Sequence, residues 1–240
     1  MSAERLNGAV AVVTGGSRGI GAAIAEALAR ADAHVVLVGR SSDTLEAVAE
    51  SCGARARSVV ADLGDERAVR DLAAEVSSRH ARIDVVVHAA AELAVGPVAE
   101  APIEDFDRQY RVNLRAPYLL TQLLLPGLTA ASGDVVFVNS TAGRRAAAGS
   151  SQYAATKHGL RAVADALRAE VNDAGVRVIT VYPGRTDTPM QAELHRLEGR
   201  TYSPERLVGA DDVAAAVLSA LTAGPRAQVA EIVVLPRKML

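Results

Sequence analysis

Apolar residues in this sequence come in two arrangements. Short unbroken runs rich in Val, Ile, Leu and Ala occupy positions 9–14, 34–39, 58–61, 83–88, 135–139, 176–181 and 229–235. Between them lie longer stretches, 20–30, 43–51, 66–79, 103–125, 153–172 and 210–221, in which apolar positions recur every three or four residues. A short continuous run suits a strand buried on both faces, and the three-and-four spacing suits an amphipathic helix. Polar residues mark several helix starts, among them Thr44 to Glu46, Asp65, and Asp211 with Asp212. Gly53 and Gly175 follow two of the helices, where a left-handed stop is useful.

Strands alternating with helices predict βαβ units in an open parallel sheet. Right-handed crossovers then make the fold doubly wound. The expectation is an α/β protein with one Rossmann domain over residues 1–240, seven parallel strands and helices on both faces. No linker, internal repeat or low-complexity tract interrupts the series. The longest stretch without an expected element is 183–209, and a loop of that length in a compact domain usually serves the site, often as a substrate lid.

Composition narrows the picture. Half the 240 residues are hydrophobic but only 3% are aromatic, with no Trp, so the core is to be built from Ala, Val, Leu and Ile. With 26 basic and 28 acidic residues the formal net charge is -2, and no block of one sign occurs, so neither nucleic acid nor a membrane surface finds an electrostatic footprint. No apolar run reaches the roughly 18–20 residues of a spanning helix. Residues 1–8 are polar and lack the order of a signal peptide. The single cysteine, Cys52, has no partner for an internal disulfide, and a cytoplasmic location is expected. No metal ligand set is assigned.

The first strand runs into Thr14-Gly15-Gly16-Ser17-Arg18-Gly19-Ile20-Gly21, where a helix begins. Glycines at 15, 19 and 21 permit a tight turn and close approach of the backbone to phosphate, and the helix N-terminus aims free N–H groups at a pyrophosphate. The end of the second strand chooses between nucleotides: an acid there binds the ribose 2′-hydroxyl of NAD. This chain has Gly39-Arg40-Ser41-Ser42 instead. Arg40 and Arg18 are placed to grip a 2′-phosphate, with Ser41 as a further donor, which favours NADP(H). Asp62, ending the third strand, is placed either to accept from an adenine amino group or to cap the helix that starts near Asp65.

Chemistry enters at Tyr153-Ala154-Ala155-Thr156-Lys157, which opens a helix. Positions i and i+4 share a face, so the phenol and the ammonium are neighbours, and a nearby cation is expected to lower the Tyr153 pKa toward neutrality. Ser140 lies thirteen residues earlier, at the end of the fifth strand, on the carboxyl edge where open α/β sheets bind ligands. Its hydroxyl is suited to polarising a carbonyl. Asn113 sits within the long fourth helix, a place that suits Asn poorly.

Taken together these motifs resemble the short-chain dehydrogenase/reductase family, in its one-domain form, nearly end to end. The segment 14–21 matches the family's TGxxxGxG, Asp62 its adenine-contact Asp, and Pro183-Gly184 with Thr188 its nicotinamide-side motif. Asn113, Ser140, Tyr153 and Lys157 fall on its catalytic tetrad. The resemblance implies that Tyr153 protonates a carbonyl oxygen as hydride arrives, Lys157 lowers the Tyr153 pKa and holds ribose hydroxyls, Ser140 bonds the reacting oxygen and Asn113 anchors a water. It also implies cofactor contacts from Gly15, Ser17, Arg18, Gly19, Ile20, Gly21, Arg40, Ser41, Asp62, Leu63, Ala89, Ala90, Tyr153, Lys157, Pro183, Gly184, Thr186 and Thr188. The expected activity is reversible NADPH-dependent reduction of a ketone or aldehyde. An NAD-linked alcohol dehydrogenase and a non-catalytic NADPH-binding regulatory protein are the alternatives.

The departures are as informative. The family's NNAG reads His88-Ala89-Ala90-Ala91 here, and the C-terminal end lacks the glycines of 3-oxoacyl-carrier-protein reductases. His88 is read as a packing residue in the central sheet, and His158 as a bystander. Residues 92–95, 142–148, Tyr182 and 183–209 are expected to border the substrate pocket. Arg144 and Arg145 face an acidic substrate or, by preference, solvent, and Tyr202 is expected to close over the ligand. The resemblance further implies a homodimer or homotetramer.

Overall fold

The computed structural model describes residues 5–224 and 226–237; residues 1–4 of the polar N-terminal segment and the last three of the expected domain lie outside them. Seven strands form a parallel sheet: β1 (Val10–Thr14), β2 (His34–Gly39), β3 (Ala56–Val60), β4 (Val85–His88), β5 (Asp134–Val138), β6 (Arg177–Pro183) and β7 (Glu231–Val234). Their order is β3-β2-β1-β4-β5-β6-β7, so the winding reverses between β1 and β4. Ligands in open α/β sheets bind at such a switch point, beyond the carboxyl ends of the strands.

Helices α1 (Gly19–Arg30), α2 (Ser42–Cys52) and α8 (Ala210–Leu221) cover one face. On the other lie α3 (Glu66–Arg79), α5 (Ala116–Ala131) and α6 (Ser151–Val171). Residues of β1 alternate between the two layers: Ala11 and Val13 pack against α1 and α8, and Val12 against the opposite helices. Burial on both faces is why these strands read as unbroken Val and Ala rather than as alternating sequence. Asp65 caps α3, accepting from the Arg67 amide at 2.9 Å. Gly175 ends the segment after α6 at φ 77°.

Two expected elements differ from those observed. The helix predicted over 103–125 is α4 (Ile103–Tyr110), a π-helical turn at Arg111–Arg115, and then α5, which runs on to Ala131. The expected helix ends at 125, whereas α5 runs through Pro126, whose place in a helix costs about 3 kcal/mol. Leu124 and Leu128, one turn apart and fully buried, each return about 1.5–3 kcal/mol, so the helix continues. The expected loop over 183–209 contains a helix, α7 (Pro189–Leu197). Thr188 caps it, accepting from the Gln191 amide, and Pro189 takes the first position, where a missing N–H is harmless.

The amino edge of the sheet is locked by a buried ion pair. Arg177 grips Asp134 through Nε and Nη2 at 2.6 and 3.0 Å and donates to the Leu221 carbonyl at 2.8 Å. Asp134 is 2% exposed. Arg177→Met is expected to lower stability by about 3 kcal/mol, because a buried carboxylate loses most of its pairing; urea denaturation reads this directly.

Candidate active site

A cleft of about 390 Å³ opens at the switch point. One wall is the glycine turn. Gly15 has φ 67°, and a Cβ there would lie 2.7 Å from the Ala90 nitrogen; at Gly21 it would lie 2.2 Å from the Gly15 carbonyl oxygen. Glycine is thus required both by backbone conformation and by contact with the Ala89-Ala90 segment. The Thr14 hydroxyl ties the two together, accepting from the amides of Ala89 and Ala90 at 3.2 and 3.3 Å. Ser17, Arg18, Ile20, Arg40, Ser41, Asp62 and Leu63 all reach the same cleft. Asp62 accepts from the Gly64 amide at 2.9 Å, and since Asp65 holds the helix cap, the capping alternative for Asp62 falls away.

At the other end stand Tyr153 and Lys157, one turn apart on α6. Lys157 is 1% exposed; its ammonium donates to the Val138 carbonyl at 3.0 Å and lies 5.7 Å from the Tyr153 ring centroid. The Ser140 hydroxyl, beside the Tyr153 phenol, accepts from the Ala142 amide at 3.1 Å. Burial governs both proton affinities. It pushes the Tyr153 phenol up to about 12, against a smaller lowering by Ser140, and it pulls the Lys157 ammonium down to about 8. This corrects the expected direction for Tyr153. The ammonium lies against the ring and a backbone carbonyl rather than at the phenol oxygen, and desolvation dominates.

Two polar side chains brace this end. Asn139, unnoticed in the sequence, donates to the Lys157 carbonyl at 3.0 Å and accepts from the Ser140 amide at 2.8 Å. It thereby fixes the lysine's turn of α6 to the end of β5. Asn113, buried in the π-helical turn, accepts from the Glu92 amide at 2.7 Å and donates to the Glu92 carbonyl at 2.8 Å and to Thr156 Oγ1 at 3.2 Å. Its amide therefore holds the loop after β4 against α6.

Residues 9–199 match the short chain dehydrogenase family. The chain belongs to that family. An uncharacterized oxidoreductase of Staphylococcus epidermidis is 32% identical over 228 residues, covering 95% of this chain and 96% of the relative. A metagenomic short-chain oxidoreductase solved with NADP is 33% identical, with a TM-score of 0.83, and covers 98% of this chain and 100% of that one. A 3-ketoacyl-(acyl-carrier-protein) reductase from Brucella melitensis, solved with NADH, is 28% identical, with a TM-score of 0.86, and covers 95% and 97%. The chain is accordingly an oxidoreductase of the short-chain type. No helix among its described residues is long and apolar enough to cross a membrane.

Several expected residues stand apart from the cleft wall. Pro183 ends β6 and is buried, the Gly184 amide donates to the Val234 carbonyl at 2.8 Å, and the Thr186 hydroxyl turns back to the Gly184 carbonyl at 3.0 Å. These three do not line the cleft, whereas Thr188 with Pro189 and Met190 faces it. Tyr182 is buried, donates to Glu231 at 3.2 Å and does not line this cleft. Tyr202 bonds Asp187 and packs edge-on against His195 at 5.3 Å, behind α7's start rather than over the cleft. His88 is packed, stacked on Phe137 at 5.0 Å and 2.8 Å from Thr121 Oγ1, with burial pulling its pKa to about 3. His158 bonds its own helix, and Arg144 and Arg145 are exposed.

Proposed function

We propose that this chain is an NADP(H)-dependent oxidoreductase that reduces a ketone or aldehyde to an alcohol, with Tyr153 as the proton donor. The observation that carries the reading is the juxtaposition of Tyr153 and Lys157 with the glycine turn on one cleft. The cleft's own shape fits a dinucleotide: Gly15 lets the turn pack tightly on the Ala89-Ala90 backbone, where a Cβ would collide, and the amides at the start of α1 are left to meet phosphate. The solved relatives carry both nucleotides, so the choice of NADP(H) rests on Arg18, Arg40 and Ser41. When bound, the nicotinamide supplies the hydride.

The chain's residues then have distinct tasks. Tyr153, neutral at physiological pH because burial holds its proton, is in the form that donates to a carbonyl oxygen. Ser140, beside Tyr153, is a second donor to the same oxygen. Lys157 has one hydrogen-bond partner among the described residues, which leaves two N–H donors for ribose hydroxyls. Asn113 and Asn139 act as positioning residues through Glu92 and through the turn bearing Lys157.

The test is oxidation of NADPH, followed by absorbance, with a broad panel of ketones and aldehydes; binding without turnover on any of them would remove the enzyme reading. A pH profile adds a second check. Reduction needs neutral Tyr153 and charged Lys157, so kcat/KM for reduction is expected to be level below about pH 7 and to fall through a limb near pH 8, where Lys157 loses its proton. Alcohol oxidation needs the phenolate and is expected to rise with pH across the same range.

A further inference from the structure

Arg40 and Glu92 meet across the mouth of the cleft. In the sheet β2 and β4 flank β1, so a contact between the residue after β2 and one four positions after β4 passes over the end of β1, where the glycine turn begins. Arg40 Nη1 is 2.7 Å from Glu92 Oε1. Glu92 Oε2 is 2.7 Å from Arg108 Nε, on α4. The acid is the fixed member: its backbone is held on both sides by Asn113, and its side chain is 16% exposed. Arg40, at 60% exposed, is the arm free to swing. The sequence alone showed no acid at the end of β2, yet the fold delivers one to the same guanidinium from 52 residues away.

A guanidinium holds a phosphate and a carboxylate with the same fork of N–H donors. Arg40 therefore already has an anion before any nucleotide arrives. Resting on the NADP(H) reading above, we infer that Glu92 is a specificity-determining residue whose carboxylate competes with the nucleotide 2′-phosphate for Arg40. Arg108 makes the exchange possible. When Arg40 turns to the phosphate, Glu92 keeps its second cation and is not left as an unpaired, mostly buried charge. A nucleotide with a free 2′-hydroxyl binds with the Arg40–Glu92 pair intact. Glu92 thus weakens NADP(H) binding alone and narrows the discrimination between the two nucleotides.

Glu92→Gln keeps the length of the side chain and the backbone bonds to Asn113 while removing the charge. Dissociation constants for NADPH and NADH, measured by calorimetric titration at one ionic strength, are expected to show NADPH tightened about three- to fivefold, the range of a partly exposed ion pair, and NADH unchanged within about twofold. Arg108→Ala is expected to weaken NADPH in the wild-type background and to have no effect in the Glu92→Gln background. Unchanged or weaker NADPH binding in Glu92→Gln, or equal tightening of both nucleotides, overturns the exchange. Arg40→Ala separates the two levels of the argument. If it weakens NADPH, Arg40 is the phosphate partner and a flat Glu92→Gln result counts against the exchange alone; if it does not, the NADP(H) reading itself falls and the exchange falls with it.

Discussion

Tyr153→Phe is expected to lower kcat for carbonyl reduction by about a hundred- to ten-thousandfold, the span assigned to a lost general acid, while NADPH binds as before. The substitution is unusually clean here. Phe keeps the ring under the Lys157 ammonium, 5.7 Å from its centroid, so the lysine retains that contact and its bond to Val138. The chief loss is the hydroxyl and its proximity to Ser140. Stopped-flow or steady-state rates together with an NADPH titration separate chemistry from binding. Substantial residual turnover would shift the proton to Ser140 or to water and remove Tyr153 from the role proposed for it. The same variant should lose the rise of alcohol oxidation with pH, since no phenol remains to ionise.

How far the sequence reached depended on whether a feature was local. The central strands were legible because burial on both faces demands unbroken apolar runs, and β2 is found at the expected 34–39. Tyr153 and Lys157 were legible because four residues on a helix always share a face. The π-helical turn at Arg111–Arg115 was not, since one wide turn leaves the apolar spacing around it almost unaltered. It matters because Asn113 sits in it, buried and turned to Glu92 rather than exposed. α7 was legible in principle: Thr188 followed by Pro189 is a cap and a first helical position, a signal hidden by reading the segment only as a loop. Glu92 carries no local signal at all, because what defines it is a partner on another strand. The proton affinity of Tyr153 failed for a related reason. Sequence shows which charges are adjacent, whereas the depth of burial that outweighs them is set by the whole fold.

Gly15→Ala is expected to weaken cofactor binding by at least about tenfold, the equivalent of one lost charge-assisted hydrogen bond at about 1.5–3 kcal/mol. The left-handed backbone at φ 67° alone costs an alanine about 1–2 kcal/mol. The larger difficulty is contact. The new Cβ would stand 2.7, 2.8 and 2.9 Å from Ala90 N, Ala90 Cα and Ala89 C, which are backbone atoms without rotamers to yield. Those atoms are also held in place, because Thr14 bonds both amides. The turn must therefore move, and the amides that start α1 move with it. Gly53→Ala is the control: φ there is 80°, so the strain is present, but nothing lies within 4 Å of its Cβ. Both variants are expected to melt a few degrees lower, and only Gly15→Ala to lose affinity for the nucleotide. Wild-type binding by Gly15→Ala would mean that the phosphates do not rest on this turn, and the cleft would need a different ligand.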